Sequence, residues 1–286
     1  MTDKLRKIIT ILLAVIFVQS TALFVIRTFN SAEAADSYEE AEAIAASPRA
    51  TEPVQTAPSE KEEISCTEPV STEPQMEWIV APVEEDKHMK KLKDINLEAL
   101  REKNPDVVGW VFIPNTRINY PIVQGTDNQY FLNHTWDNRK STAGAIFMES
   151  TNDPDFLDFR TIIYGHNMAD SSMFGSIHRY DSKTYRDEYP YVYLVTDEGV
   201  LRYEIYSSYK AEVESGTYAL DLVERPYRVA FIRLTKEEAL YETDITPAVT
   251  DRILTLSTCA GNASRRRVVH ARLPMIQVEA KTDSLP

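Results

Sequence analysis

The chain has only two cysteines, Cys66 and Cys259, in 286 residues. An exported fold built on disulfides would carry more, in recurring spacings, so a disulfide framework is excluded. Basic stripes are missing too. The formal net charge is −13, and the 15 acidic and two basic residues between Ser31 and Asp86 account for all of it. The balanced remainder carries no basic face, which argues against nucleic acid as a partner. There is no HxxxH or CxxC spacing for zinc. Glu149, Asp153, Asp155 and Asp158 form an acidic loop, but without EF-hand spacing and its fixed glycine they read as solvated rather than calcium-binding. No metal and no cofactor is expected.

Residues 31–85 have few large apolar side chains and are punctuated by Pro48, Pro53, Pro58, Pro69, Pro74 and Pro82. Such a segment cannot bury enough surface to offset its ordering entropy. It is expected to be a disordered acidic stalk, stiffened by proline and by charge repulsion. Thr-Glu-Pro recurs at Thr51, Thr67 and Thr72, with no long repeat.

What is present begins at the N-terminus. Lys4, Arg6 and Lys7 precede an uncharged run of 19 residues, Ile8 to Ile26. At 1.5 Å per residue that run spans about 28 Å, near the thickness of a bilayer core. The cationic flank keeps the N-terminus cytoplasmic and exports the rest. Ala32-Glu33-Ala34 resembles a signal cleavage site, but the apolar run exceeds the usual signal-peptide core of about 7–15 residues. Residues 1–30 are therefore expected to be a cytoplasmic tip and single-pass signal-anchor, residues 31–85 the stalk, and residues 86–286 one extracellular catalytic domain.

Within 86–286, Met89, Leu92, Ile95, Leu97 and Leu100 give a helical face, and Asn96 can cap a helix starting at Leu97. Strand patterns follow at 107–113, 118–123, 144–148, 161–164, 191–196, 201–213, 252–257 and 267–278. Short helical insertions fit 128–132, 172–180 and 236–241. Many short strands with few helices predict a mainly β fold, a closed or nearly closed barrel.

The strand 252–257 runs into Thr258-Cys259 and then the small-residue loop Ala260-Gly261-Asn262-Ala263-Ser264. This puts a lone thiol at a sheet end. The returning strand begins Arg265-Arg266-Arg267, so arginine comes back beside the cysteine, where it can favour a thiolate or hold an oxyanion. Ile162-Ile163-Tyr164-Gly165-His166 places an imidazole at another strand end, and imidazole is the natural acid and base near neutral pH. The remaining histidines have simpler uses: His270 packs or bonds within its strand, and His134 and His178 lie at the surface.

Tyr164-Gly165-His166, Thr255-Leu256-Ser257-Thr258-Cys259 and Arg266 with its Val-Val run resemble the signature of the sortases. Asn104 to Trp110, Ile118 to Gln124, Asn128 to Leu132 and Ala143 to Met148 are similar to class B in particular. The resemblance covers about residues 90–279. It implies an eight-stranded sortase barrel, with class B helices at its N-terminus and before the cysteine-bearing strand. It implies Cys259 as nucleophile, His166 as acid and base, and Arg266 as oxyanion stabiliser, with Asn128, Leu132, Tyr164 and Ser257 lining the substrate groove. The expected partners are exported proteins with a C-terminal sorting motif, cleaved after Thr through a thioester, and an acceptor amine from a cell-wall precursor or a pilin in a Gram-positive cell. Aligning Val268-Val269-His270 on the family's strand favours Arg266, with Arg267 as the alternative, and alternation puts Arg266 on one face of the strand and Arg265 and Arg267 on the other. Two rivals stand beside this reading. L,D-transpeptidases place Gly before the cysteine and Arg two residues after it, where this chain has Thr258 and Gly261. A tethered, non-enzymatic scaffold would leave the coincidence of Cys, His and Arg at strand ends without a purpose.

Overall fold

The computed structural model describes residues 13, 16–17, 19–21, 33–48, 76–259 and 264–279. Eight strands close a barrel: β2 (Val107–Phe112), β3 (Asn119–Val123), β4 (Ile146–Met148), β5 (Arg160–His166), β6 (Tyr191–Thr196), β7 (Gly199–Glu212), β8 (Arg252–Cys259) and β9 (Arg265–Leu273). Their order around it is β2-β3-β4-β5-β8-β9-β7-β6. The pairs β3–β4 and β5–β8 are parallel and the others antiparallel. A parallel pair needs a long crossover, and the chain from Asn167 to Asp251 supplies it for β5 and β8. Both of these strands therefore end on the same side of the barrel.

The barrel interior is apolar. Val111, Ile122, Ile146, Ile163, Leu194, Leu254 and Leu256 are fully buried there. Each such side chain contributes about 1.5–3 kcal/mol by leaving water. The outer face of β8 is covered as well. Ile253 joins Phe159, Tyr206, Phe231 and Ile232 in a second cluster beneath the β7–β8 connection. That connection carries α5 (Arg225–Glu237), opened by a proline in its first turn. The sequence had predicted a helix at 236–241; the helix lies earlier, and residue 236 falls in its last turn.

Helices α2 (Lys87–Leu92) and α3 (Leu97–Lys103) start where capping residues allow. The Asp86 carboxylate accepts from the amides of His88 and Met89, and Asn96 accepts from that of Ala99. α4 (Lys183–Glu188) is capped in the same way by Ser182. The strand expected over 267–278 is two: it breaks at Pro274, and β10 (Met275–Glu279) pairs with β1 (Met76–Val80) in a separate antiparallel ribbon.

Residues 31–85 do not all form a stalk. Residues 33–45 are a helix, α1, packed on the barrel. Ala34, Tyr38, Ala41 and Ala45 are buried, and their spacing of four, three and four puts them on one helical face. The Tyr38 hydroxyl donates to the carbonyl of Gly144 at 2.8 Å, and Trp136 Nε1 donates to that of Ser37 at 2.9 Å. Glu40 pairs with Arg139 and Lys103, and Glu42 accepts from Asn119. Two of the acidic residues that suggested self-repulsion, Glu40 and Glu42, are thus matched by partners from the rest of the fold. β1 adds a second ordered piece, so the folded unit begins well before residue 86. The expected membrane-spanning run falls almost wholly outside the described residues. Among the described residues no helix is long and apolar enough to cross a membrane.

Candidate active site

The ladder between β5 and β8 sets Tyr164 opposite Ser257, Gly165 opposite Thr258, and His166 opposite Cys259. The antiparallel ladder of β8 and β9 runs from Arg252 opposite Leu273 to Ser257 opposite Val268. Beyond that last pair, the Arg267 amide donates to Thr258 Oγ1 at 3.1 Å. His166 and Cys259 thus face each other across two strands about 4.8 Å apart, and the same register carried two residues past the ladder would set Arg266 level with Cys259.

Glycine makes room for this row. Gly144 has φ +60°, and a Cβ there would lie 2.8 Å from the Leu132 carbonyl oxygen and 2.9 Å from His166 Cδ2. In the motif before the histidine, a Cβ on Gly165 would come within 2.5 Å of Ile146 Cδ1. With both positions bare, the Leu132 carbonyl reaches His166 Nε2 at 2.7 Å. A carbonyl only accepts, so Nε2 carries the hydrogen of this bond.

The arginine run divides by strand parity. Arg265 binds Glu212 at 2.5 Å on the neighbouring strand. Arg267 takes Asp181 with Nε at 2.8 Å and a terminal nitrogen at 2.6 Å. Arg266, between them, lines a cavity of about 280 Å³ together with Asn128, Leu132, Glu149, Tyr164 and Tyr218. Ser257, inside the sheet beneath it, has its hydroxyl 2.8 Å from that of Tyr218. The structure therefore brings together Asn128, Leu132, Tyr164 and Arg266 around one cavity, with Ser257 below and His166 and Cys259 at the adjoining strand ends.

Two neighbours were not singled out from the sequence as groove residues. Tyr218 comes from the β7–β8 connection and had no motif to mark it. Glu149 was read as part of a solvated acidic loop, but it is 5 % exposed and accepts from the Tyr164 hydroxyl at 2.8 Å and from Asn128 Nδ2 at 2.6 Å. Its place directly after the apolar run Ile146–Met148 was the available signal. Burial, with the Glu149 charge next to it, pushes the Tyr164 phenol far above its ordinary range. His270 is buried between Thr255 Oγ1 at 3.0 Å and the Tyr209 hydroxyl at 3.1 Å. His134 stacks on Tyr130 with ring centres 4.0 Å apart, and His178 bonds to Gly175 at the surface. Among the described residues no three His, Cys, Asp or Glu side chains are grouped to hold a metal ion.

The family model for the sortase domain matches residues 111–274, more than half of the chain. This chain belongs to the sortase family. Sortase B of Listeria monocytogenes is 37% identical over 166 residues, covering 57% of this chain and 66% of that protein, just under two thirds of its length. Sortase B of Staphylococcus aureus is 29% identical over 190 residues, covering 65% of this chain and 78% of that protein. A solved Staphylococcus aureus sortase B–substrate complex superposes with a TM-score of 0.60 at 30% identity, covering 64% of this chain and 85% of that one. The sortase is accordingly of class B, and its eight-stranded barrel is the sortase barrel. Sortases are cysteine transpeptidases, which removes both the scaffold and the L,D-transpeptidase readings.

Proposed function

We propose that this class B sortase works outside the cytoplasm, held to the membrane by the apolar run 8–26, and joins exported proteins to an amine of the cell wall or of a pilin. Cys259 is the nucleophile, His166 the acid and base, and Arg266 the oxyanion donor. The observation that carries this reading is the pairing of His166 with Cys259 at the ends of β5 and β8, with Arg266 on the next strand lining the cavity.

The reaction is an acyl transfer in two halves. The Cys259 thiol passes its proton to His166, the thiolate attacks the carbonyl carbon after Thr in a sorting motif, and the carbonyl electrons move to oxygen. Arg266 holds that oxyanion with a forked, permanently charged donor. When the C–N bond breaks, the departing amine takes a proton from His166, and a thioester remains. In the second half the acceptor amine attacks the thioester and passes a proton to His166, and the thiolate leaves. Asn128, Leu132, Tyr164 and Ser257 shape the groove for the acyl donor.

The test is to incubate residues 33–286 with Leu-Pro-x-Thr-Gly and Asn-Pro-x-Thr-type peptides, with and without amines, and to weigh the products. Cleavage after Thr with an amine-dependent new product is expected. No cleavage of any member would remove the proposal.

A further inference from the structure

The cavity beside Arg266 rests on a group that the acyl-transfer steps leave unused. Glu149 is 5 % exposed. Burying a carboxylate is costly unless its lone pairs are filled. Here four donors are offered: the Tyr164 hydroxyl at 2.8 Å, Asn128 Nδ2 at 2.6 Å, and the hydroxyls of Ser150 and Thr151 at 3.3 and 3.5 Å. The first two belong to side chains that line the cavity.

An ionised carboxylate only accepts, so every group bound to it must give it a hydrogen. Tyr164 has one hydroxyl hydrogen and gives it to Glu149, which leaves its oxygen only lone pairs for anything else. Asn128 is fixed at both ends, since Nδ2 donates to Glu149 and Oδ1 accepts from the Ser150 amide at 2.8 Å. Flipping that amide would set oxygen against carboxylate and NH2 against N–H. The Tyr164 ring is held separately, against Phe147 with centres 5.2 Å apart. A change at Glu149 would therefore turn the hydroxyl without moving the ring.

We propose that Glu149 is a positioning residue that sets the hydrogen-bond polarity of the groove: it makes Tyr164 an obligate acceptor and locks the Asn128 amide, so the groove selects a peptide presenting an N–H or O–H to the Tyr164 oxygen. This rests on the reading of the cavity as the acyl-donor groove. Glu149→Gln keeps the size of the side chain but adds an NH2 that can donate to the tyrosine oxygen. The tyrosine hydrogen is then released toward the cavity, and the preference for a donor weakens or reverses.

The experiment has two arms. The first measures binding to the Cys259→Ala chain, with and without Glu149→Gln. The probes are acetylated Asn-Pro-Ala-Thr-Gly and Leu-Pro-Ala-Thr-Gly amides and their singly N-methylated analogues. One N-methylation is expected to weaken binding about tenfold with Glu149 present, and less than about threefold in Glu149→Gln and in Tyr164→Phe. Equal penalties in all three backgrounds would overturn the proposal. So would a general loss of affinity with no change in the N-methyl pattern, which is what mere loosening of the fold would give. The second arm needs no peptide. The Asn128 side-chain NH2 signal, assigned by its loss in Asn128→Ala, should carry one downfield proton that moves upfield in Glu149→Gln. A signal that stays in place sinks the proposal, whatever the peptides do. A moving signal in a chain that cleaves nothing would instead remove the transpeptidase reading and leave the positioning role of Glu149 intact.

Discussion

Arg267 and Asp181 form a two-pronged ion pair, at 2.8 and 2.6 Å, on the strand face opposite to that of Arg266. This gives adjacent arginines different tasks. Arg266→Ala should slow acylation by about 100- to 1000-fold, the usual cost of one oxyanion donor, or roughly 3–4 kcal/mol. Arg267→Ala should leave acylation nearly intact and cost about 1 kcal/mol of stability through its part-exposed pair. Arg266→Lys should also acylate poorly, since an ammonium cannot copy a planar fork. Single-turnover rates and thermal melts of the variants separate the two roles. A large acylation loss at Arg267 with a mild one at Arg266 would refute the assignment.

Cysteine substitution separates the two thiols. Cys259→Ala should abolish both cleavage and transfer, whereas Cys66→Ala should leave both unchanged, because Cys259 ends β8 in register with His166 and Cys66 lies outside the folded elements described. Mass analysis of the products decides it, and turnover retained without Cys259 would sink the mechanism.

The docked N-terminal helix predicts a cost for truncation. A chain beginning at residue 86 loses the buried Tyr38, Ala41 and Ala45 contacts and strips β10 of its partner β1. It should melt below a chain beginning at residue 33. Within the longer chain, Tyr38→Phe should cost about 1 kcal/mol through the lost bond to Gly144. Equal melting temperatures for the two lengths would mean that α1 adds nothing.

Stability should also depend on pH through His270. Burial pushes its pKa down to about 3, from an ordinary value near 6.5. The unfolded chain then binds the proton more readily than the folded one. The stability tied to the neutral ring is complete above pH ~6.5 and declines as pH falls toward ~3. Carboxylates held low by their partners, such as Asp86, add their own loss only below about pH 4. His270→Gln should therefore flatten the melting temperature between about pH 4 and 6.5. An unchanged slope in that window would exclude His270 as its source.

Much of this architecture could be read from residue order. Strand ends, glycines and the Cys, His and Arg positions are local features, and the resemblance of Val268-Val269-His270 to the family's strand, together with alternation, separated Arg266 from its neighbours. Two features escaped because they depend on distant partners. The α1 stripe of Ala34, Tyr38, Ala41 and Ala45 has helical spacing, but it was averaged into a long acidic, proline-bearing segment. Its acids gain meaning only when Arg139, Lys103 and Asn119 arrive from elsewhere in the chain. Glu149 read as solvated because sequence cannot show that Tyr164 and Asn128 converge on it from other strands and turns.

The docking of α1 changes the mechanics of the tether. Residue 48 and residue 76 both belong to the folded unit, so the number of residues between them does not set the distance from the barrel to an anchor at 8–26. For a chain anchored through Ile26, the leash is the seven residues to Glu33, which reach at most about 25 Å. A free coil of the 59 residues from 27 to 85 would instead sweep a radius of about 40 Å. In a chain so anchored, the shorter leash would confine the enzyme to a thin layer against the bilayer and raise the local concentration of anything embedded there. Substrates still held in the membrane would then be met by lateral diffusion, and lengthening residues 27–32 should disturb that encounter while lengthening 49–75 should not. Cross-linking yields to a membrane-held substrate peptide would compare the two insertions.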